Sequence, residues 1–150
     1  MKKMIAIALL GAGLSTPLLA DMAADIDVEQ PFARDVPPGQ PNSAAFMILH
    51  NEADTKARII SAESSASDVV ELHTHTHDNG VMRMRQIDAI EVPANDQQML
   101  QPGGLHIMLI GLKPNWNQSK LVDLKLNFED GSSKNLTIPV MRPMSHGHGH

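Results

Sequence analysis

Short apolar runs separated by turn residues cover most of this chain, and this pattern constrains its fold more than any other feature. Eight runs of five to twelve residues are rich in β-branched and other apolar side chains: 26–32, 43–50, 58–62, 69–73, 81–92, 105–112, 120–128 and 136–140. The separators carry typical turn residues, among them Asn79-Gly80, Pro102-Gly103-Gly104 and Asp130-Gly131. Regularly spaced short strands of this kind predict an all-β Greek-key sandwich or barrel.

The run at 120–128 shows the alternation of a half-buried strand, because Val122, Leu124, Leu126 and Phe128 occupy every second position. Pro31 suggests that the first strand lies at a sheet edge, since proline cannot donate to a strand ladder. The only helical signal after residue 20 is one turn at 64–67. A length of 150 residues favours a single domain. We place this domain at 21–140 and predict a flexible tail at 141–150, where the strand pattern stops.

The first twenty residues are typical of a secretory signal peptide. Lys2 and Lys3 precede an apolar stretch at 4–14, and Ala20 stands before an acidic residue. Cleavage after Ala23 or Ala24 is an alternative to cleavage after Ala20. The apolar stretch is too short to span a bilayer, and no later segment is long enough. We therefore expect a periplasmic protein without a transmembrane anchor, and the lack of Cys predicts that no lipid is attached through one.

The composition excludes several classes of site. The chain has no Cys, 10 Met and 8 His. Disulfides, thiolate metal sites, cysteine nucleophiles and blue-copper centres all require Cys, so none of them can form from this sequence. The balance of 12 basic against 17 acidic residues, a net charge of −5, argues against binding to nucleic acid.

The Met and His residues are grouped rather than scattered. On a strand, residues two apart point to the same face, so His106 and Met108 stand side by side while Ile107 points the other way. His73 ends the apolar run at 69–73, and Met84 lies in the run at 81–92. A sandwich could bring these stretches together at one end. Since thioether sulfur is a soft neutral donor, such a set is suited to Cu(I).

The same residues carry a resemblance to a known family. His73 and Met84 enclose ten residues, Met84 and His106 enclose twenty-one, and His106-Ile107-Met108 follows. This spacing resembles the signature of the periplasmic copper chaperones of the PCu(A)C family, and the similarity extends over about 26–140. The resemblance implies a cupredoxin-like β-sandwich and a Cu(I) site made by His73, Met84, His106 and Met108. It also implies delivery of copper to the CuA centre of cytochrome c oxidase subunit II, directly or with Sco-type thioredoxin-like chaperones.

A second group of Met and His residues could add further copper ligands. His75 and His77 extend the first ligand into a His-Thr-His-Thr-His segment, and they could ligate or let the metal shift between partners. The tail could bind Cu(II) or a second copper, as in some family members, or it could be a solvated His-rich end. The candidates in this segment are Met141, Met144, His146, His148 and His150.

Other functions use some of the same features. His-x-His is typical of cupin enzymes, but that motif requires a Glu a few residues later and the next one here is Glu91. A passive copper or zinc buffer could use the same ligands as a chaperone. We predict a monomer that is not an enzyme. Ordinary structural roles are expected for Met47 and Met99 as core residues and for His50 as a paired imidazole. Met82, which shares a face with Met84, is expected to pack either in the core or beside the ligands.

Overall fold

A computed structural model of the protein describes residues 11, 13 and 21–142. One short helix and ten strands make up the regular structure of this part of the chain. They are α1 (Met22–Asp25), β1 (Ile26–Arg34), β2 (Asn42–Asn51), β3 (Ala57–Glu63), β4 (Ser67–Asp78), β5 (Val81–Gln86), β6 (Ile90–Val92), β7 (Gln97–Leu100), β8 (His106–Leu112), β9 (Leu121–Phe128) and β10 (Ser133–Met141). The predicted all-β class is confirmed, and no helix among these residues is long and apolar enough to cross a membrane. The predicted signal peptide lies almost entirely outside the described residues.

The strands form two halves that share one core. The hydrogen-bonded order is β5-β4-β8-β2-β1-β10-β9-β3-β6, with β7 paired to β2. A short parallel pairing of β1 with β10 joins the two halves. Leu49 and Ile107 from one half and Leu126 and Phe128 from the other belong to the same buried cluster. The predicted alternation in β9 is confirmed, since its four apolar positions face this core and the residues between them do not.

The first strand is not at an edge, contrary to the expectation from Pro31. β1 pairs with β2 on one side and with β10 on the other. The register shifts between Glu29 and Phe32, and Gln30 has a φ of 50°. Proline is tolerated at such a bulge because the extra residue has no ladder partner. The missing N–H of Pro31 is therefore accommodated within an interior strand.

The predicted strand at 81–92 is in fact two strands that belong to different halves of the sandwich. β5 pairs with β4, whereas β6 pairs with β3. The chain crosses between the halves at 87–89, where Ile87 donates its N–H to the carbonyl of Leu72. The sequence carries a sign of this crossing, because Gln86 and Asp88 interrupt the alternation that links Met82 and Met84 to Ile90 and Val92.

A strand that the sequence analysis did not predict, β7, pairs with β2 over 97–100. Its inward residue is Leu100, which is 2% exposed, while Met99 points outward and is 39% exposed. The prediction that Met99 packs in the core is therefore wrong, whereas Met47, at 2% exposure, is a core residue as expected.

The strand that begins near residue 69 continues well past His73. β4 runs to Asp78 and forms a tight hairpin with β5, in which Asp78 pairs with Val81. The two turn residues, Asn79 and Gly80, have φ of 51° and 79°, as a type I′ hairpin turn requires. This turn keeps both flanking segments in one ladder, so the His-Thr repeat is strand rather than loop.

The predicted helical turn at 64–67 is a turn without helix between β3 and β4, whereas the helix that does form, α1, begins after Asp21. Its first amide, that of Met22, donates to the carboxylate of Asp130 at 2.8 Å. The amide of Ala23 donates to the Ser132 hydroxyl at 3.0 Å. These contacts attach the N-terminal turn to the β9–β10 hairpin.

Candidate metal centre

Three adjacent strands, β5, β4 and β8, bring the predicted ligands onto one face of the sheet. His73 on β4 lies directly opposite His106 on β8. His75, two residues further along β4, lies opposite Met84 on β5. Because residues two apart share a face, Met108 points to the same side as His106. The four predicted ligands therefore occupy one continuous surface, together with His75.

The reverse face of these strands belongs to the core. Leu72 pairs with Ile107, and their side chains are 3% and 0% exposed. The expected opposite orientation of Ile107 and His106 is confirmed. The rigid apolar layer beneath fixes the backbone positions of the His and Met residues above it, because tightly packed interiors resist displacement.

His106 is the most deeply buried polar member of the set. Its side chain packs beside Phe46 of β2, with ring centroids 6.2 Å apart, and the residue is only 3% exposed. Burial lowers the pKa of His106, and the neighbouring His75, His73 and Arg34 act in the same direction, while a hydrogen bond to the Gly104 carbonyl opposes them. The imidazole is therefore neutral at pH 7, as a metal ligand must be.

The hydrogen bond of His106 also determines which ring nitrogen is free. Its Nδ1 lies 3.1 Å from the carbonyl oxygen of Gly104, which can only accept a hydrogen bond. Nδ1 is therefore the protonated nitrogen, and Nε2 keeps its lone pair. A backbone or carboxylate acceptor on one ring nitrogen is the usual arrangement of a metal-ligating histidine.

His73 has the complementary arrangement. Its Nε2 lies 2.7 Å from Oε2 of Glu71, two residues earlier on the same face of β4. Its Nδ1 is buried and has no hydrogen-bond partner. Buried polar atoms are rarely left without a partner. His73 fits a ligand position, because a bound metal ion would satisfy this buried nitrogen while Glu71 holds the other one.

His75 lies closer to the centre of the set than the sequence suggested. The ring centroids of His75 and His106 are 5.2 Å apart, compared with 5.7 Å for His73 and His106. Nδ1 of His75 is 3.4 Å from the same Gly104 carbonyl that His106 contacts. The structure thus brings His75 into the group, whereas the spacing motif alone selects His73.

The two thioethers lie on opposite sides of the imidazoles. Met84 is on β5 and is 46% exposed. Met108 is on β8 and is half-buried, and its strand partners are Ala44 on β2 and Glu71 on β4. Among the described residues, no group of three or more His, Cys, Asp or Glu side chains is arranged to hold a metal ion. The donors this face offers are a mixture of imidazole and thioether.

The remaining candidate copper ligands lie outside this group of side chains. His77 is on the same strand face, at the exposed end of the hairpin. Met141 is the last residue of β10 and is 48% exposed, so the strand extends one residue into the predicted tail. Met144, His146, His148 and His150 lie outside the described residues. His50 contacts Glu29 at 2.5 Å, which agrees with its expected structural role.

The residues that support the ligands, chiefly Glu71, Gly104 and Phe46, were not predicted from the sequence. Glu71 could have been found, because it is two residues from His73 and must share its face. Phe46 and Gly104 could not, since their contacts with His106 depend on strand pairing and loop path. Trp116 is partly buried and packs against the core.

Comparison with known proteins shows which family this chain belongs to. The LpqE-like family, described as "Putative lipoprotein LpqE-like", matches residues 26–140. The chain belongs to the LpqE-like family. A relative from Leifsonia xyli subsp. xyli, "Putative lipoprotein Lxx21020", is 34% identical over 103 residues, which are 68% of this chain. The match spans 62% of that relative's length.

The most similar solved structures include PCuAC domains. A copper-bound PCuAC domain from PmoF2 has a TM-score of 0.66 and 23% identity, covering 83% of this chain and 97% of that one. The solution structure of CuI-DR1885 from Deinococcus radiodurans has a TM-score of 0.63 and 29% identity, covering 78% and 80%. Apo-DR1885 covers 96% of this chain and 97% of its own, with a TM-score of 0.62 and 26% identity. The predicted PCu(A)C assignment and its cupredoxin-like sandwich are confirmed.

Proposed function

We propose that this protein is an extracytoplasmic copper carrier that binds Cu(I) as cargo through His73, Met84, His106 and Met108. The observation that carries the proposal is the convergence of two imidazoles and two thioethers on one sheet face, in a chain without Cys. Neutral nitrogen and thioether donors are suited to Cu(I) and unsuited to Mg²⁺ or Ca²⁺. The copper-bound state of PmoF2 and of DR1885 supports the same assignment.

The donor atoms fit this cargo. His106 offers Nε2, because Nδ1 is engaged by the Gly104 carbonyl, and His73 offers the buried, unpartnered Nδ1. None of these ligands is charged, so a bound Cu(I) retains its single positive charge. An acceptor with thiolate ligands holds Cu(I) more strongly than neutral donors do. Transfer to such an acceptor is therefore downhill.

The acceptor that suits this chemistry is a thiolate-bearing copper site outside the cytoplasm. We infer the CuA domain of cytochrome c oxidase subunit II, reached directly or through a Sco-type thioredoxin-like chaperone. The lipoprotein description of the relatives and the N-terminal signal pattern support a periplasmic location. Carriage of this kind needs no substrate turnover.

X-ray absorption on the Cu(I) form tests the ligand set. We expect both sulfur and nitrogen neighbours, and M84L should remove one sulfur and weaken Cu(I) binding. M99L is the matched control, because Met99 is comparably exposed and shares this sheet face but lies on β7, outside the three strands that carry the set. A shell of nitrogen alone would refute the proposal. Parallel H73N and H75N variants show which imidazole occupies the second nitrogen position.

A passive buffer retains its copper, whereas a carrier transfers it to an acceptor protein. The Cu(I) protein should lose its metal to an apo CuA domain or to an apo Sco-type protein on mixing under anaerobic conditions. Retention of copper against both acceptors would favour the buffer. The copper content of the two proteins, separated on a sizing column, gives the answer.

The His-rich end is a second candidate for binding Cu(II). This proposal comes from the alternating histidines at 146, 148 and 150. Since β10 extends to Met141, truncation after Arg142 removes the segment without shortening the strand. We expect the truncated protein to lose one equivalent of Cu(II) and to keep its Cu(I) binding. An unchanged Cu(II) stoichiometry would refute a tail site.

A further inference from the structure

One exposed pair on the metal-binding face has no role in the proposed ligand set. His77 and Met82 lie directly opposite each other at the tip of the β4–β5 hairpin. Directly opposed side chains have β-carbons about 5 Å apart. Met82 is 50% exposed, so the expectation that it packs in the core is wrong. All six residues of β5 are exposed, and β5 ends the strand order on this side of the sheet.

The side chain of Met82 leans across the sheet rather than into solvent. Its terminal methyl lies 3.6 Å from the position that a β-carbon on Gly103 would take. Gly103 precedes Gly104, whose carbonyl contacts both His75 and His106. The thioether of Met82 therefore reaches from the hairpin tip towards the loop that supports the inner imidazoles.

The hairpin register arranges the soft donors as successive cross-strand pairs. His77–Met82 at the tip is followed by His75–Met84, and then by His73 paired with His106. Neighbouring pairs on one face are two residues apart, about 7 Å along the strand. Every pair contains at least one imidazole, and the two outer pairs each add a thioether. Exposure decreases from the tip inward, from Met82 at 50% to His106 at 3%.

We propose that His77 and Met82 form an outer binding site for Cu(I), through which the ion enters and leaves the inner set. The inference rests on the proposed function. Two donors hold Cu(I) less firmly than four, so the outer site fills after the inner one and empties before it. The ion moves between sites without a change of oxidation state, so no electron donor or acceptor takes part.

NMR of protein labelled with ¹³C in the methionine methyl groups tests the outer site, with Cu(I) added under anaerobic conditions. We expect the first equivalent to shift the methyls of Met84 and Met108, and the second to shift that of Met82. Met22, in α1 beside the β9–β10 hairpin, is the internal control, and its methyl signal should not move. The H77N variant should lose the Met82 shift and keep the other two.

Each alternative result has a distinct meaning. If Met84 and Met108 shift while Met82 stays unchanged through two equivalents, the outer site is refuted and the inner one stands. If Met82 shifts with the first equivalent and also does so in H77N, Met82 is an inner ligand, and the proposal is again refuted. If neither Met84 nor Met108 shifts, the proposed function itself is wrong.

Transfer kinetics give a second, independent readout. We expect M82L to slow both Cu(I) uptake and its release to a chromophoric chelator about tenfold, a change of about 1.4 kcal/mol in the barrier. The equilibrium affinity of the inner site should stay unchanged, and M99L should behave as the unmodified protein does. Equal rates in M82L and M99L would refute the outer site as a transfer route.

Discussion

Removing the charge of Glu71 is the sharpest test of how the sheet supports its copper ligands. Oε2 of Glu71 lies 2.7 Å from Nε2 of His73, and the two side chains are 28% and 12% exposed. The carboxylate selects the tautomer that leaves Nδ1 of His73 unprotonated. In E71Q, the amide oxygen can still accept this hydrogen bond, but the negative charge that makes the imidazole a stronger donor is lost.

The size of the effect follows from this geometry. Loss of a carboxylate that orients a metal-ligating histidine weakens metal binding by about 10- to 100-fold. Since the glutamine retains a hydrogen bond and the pair is partly exposed, we expect E71Q to weaken Cu(I) binding about tenfold, or about 1.4 kcal/mol. E71A also frees the ring to rotate and should come closer to about 100-fold.

Anaerobic competition against a chromophoric Cu(I) chelator measures these affinities. The molecule supplies a matched control in Glu29, whose carboxylate pairs with His50 at 2.5 Å on β1 and β2. E29Q should leave Cu(I) affinity unchanged. The reasoning fails if E71Q binds Cu(I) as tightly as the unmodified protein, or if E29Q weakens binding equally.

Two further predictions concern the fold. Leu126 is 0% exposed, so L126A should lower the free energy of unfolding in urea by about 2–5 kcal/mol. L121A, at a residue that is 51% exposed, should change this free energy by less than about 0.5 kcal/mol. Equal effects of the two substitutions would contradict the assigned strand faces. Burial alone would raise the pKa of Asp130, but hydrogen bonds from the Met22 amide and from Ser132 lower it below its ordinary value of 3.8. The stabilisation from this carboxylate is therefore complete well above pH 3.8 and is lost as the pH falls through the lowered pKa. Protection of the Met22 amide, measured relative to its intrinsic exchange rate, should fall over that acid range in the unmodified protein, and in D130A, which has no acceptor, it should be low already at neutral pH. Strong protection in D130A would contradict this.

Most strands of this protein can be predicted from sequence features that act over a few neighbouring residues. Alternation in β9 and the Asn79-Gly80 turn act through neighbouring residues, and both are present in the structure as predicted. The errors occur where distant segments decide the outcome. Pro31 lies in an interior strand because β10 pairs with β1, and the run at 81–92 divides because its two ends join different halves.

In the candidate site, too, some features follow from the sequence and others depend on the tertiary structure. The spacing of His73, Met84, His106 and Met108 selected one set of donors, and all four lie on the face where strand pairing places them. The central position of His75 and the exposure of Met82 were not visible in the spacing. Both depend on β4 continuing to the hairpin turn.

The sequence by itself determined the kind of soft donor this protein can offer, because a chain without Cys but rich in Met and His supplies thioether and imidazole and no thiolate. It also determined most of the strands, with the exception of β7 and the division between β5 and β6, since alternation and turn residues act over a few positions. Only the tertiary structure decided which donors meet and in what state. The tautomers of His73 and His106 depend on Glu71 and Gly104, and the neutrality of His106 depends on burial beside Phe46. The physical reason is that proton positions and desolvation depend on contacts between strands, which no local stretch of sequence contains.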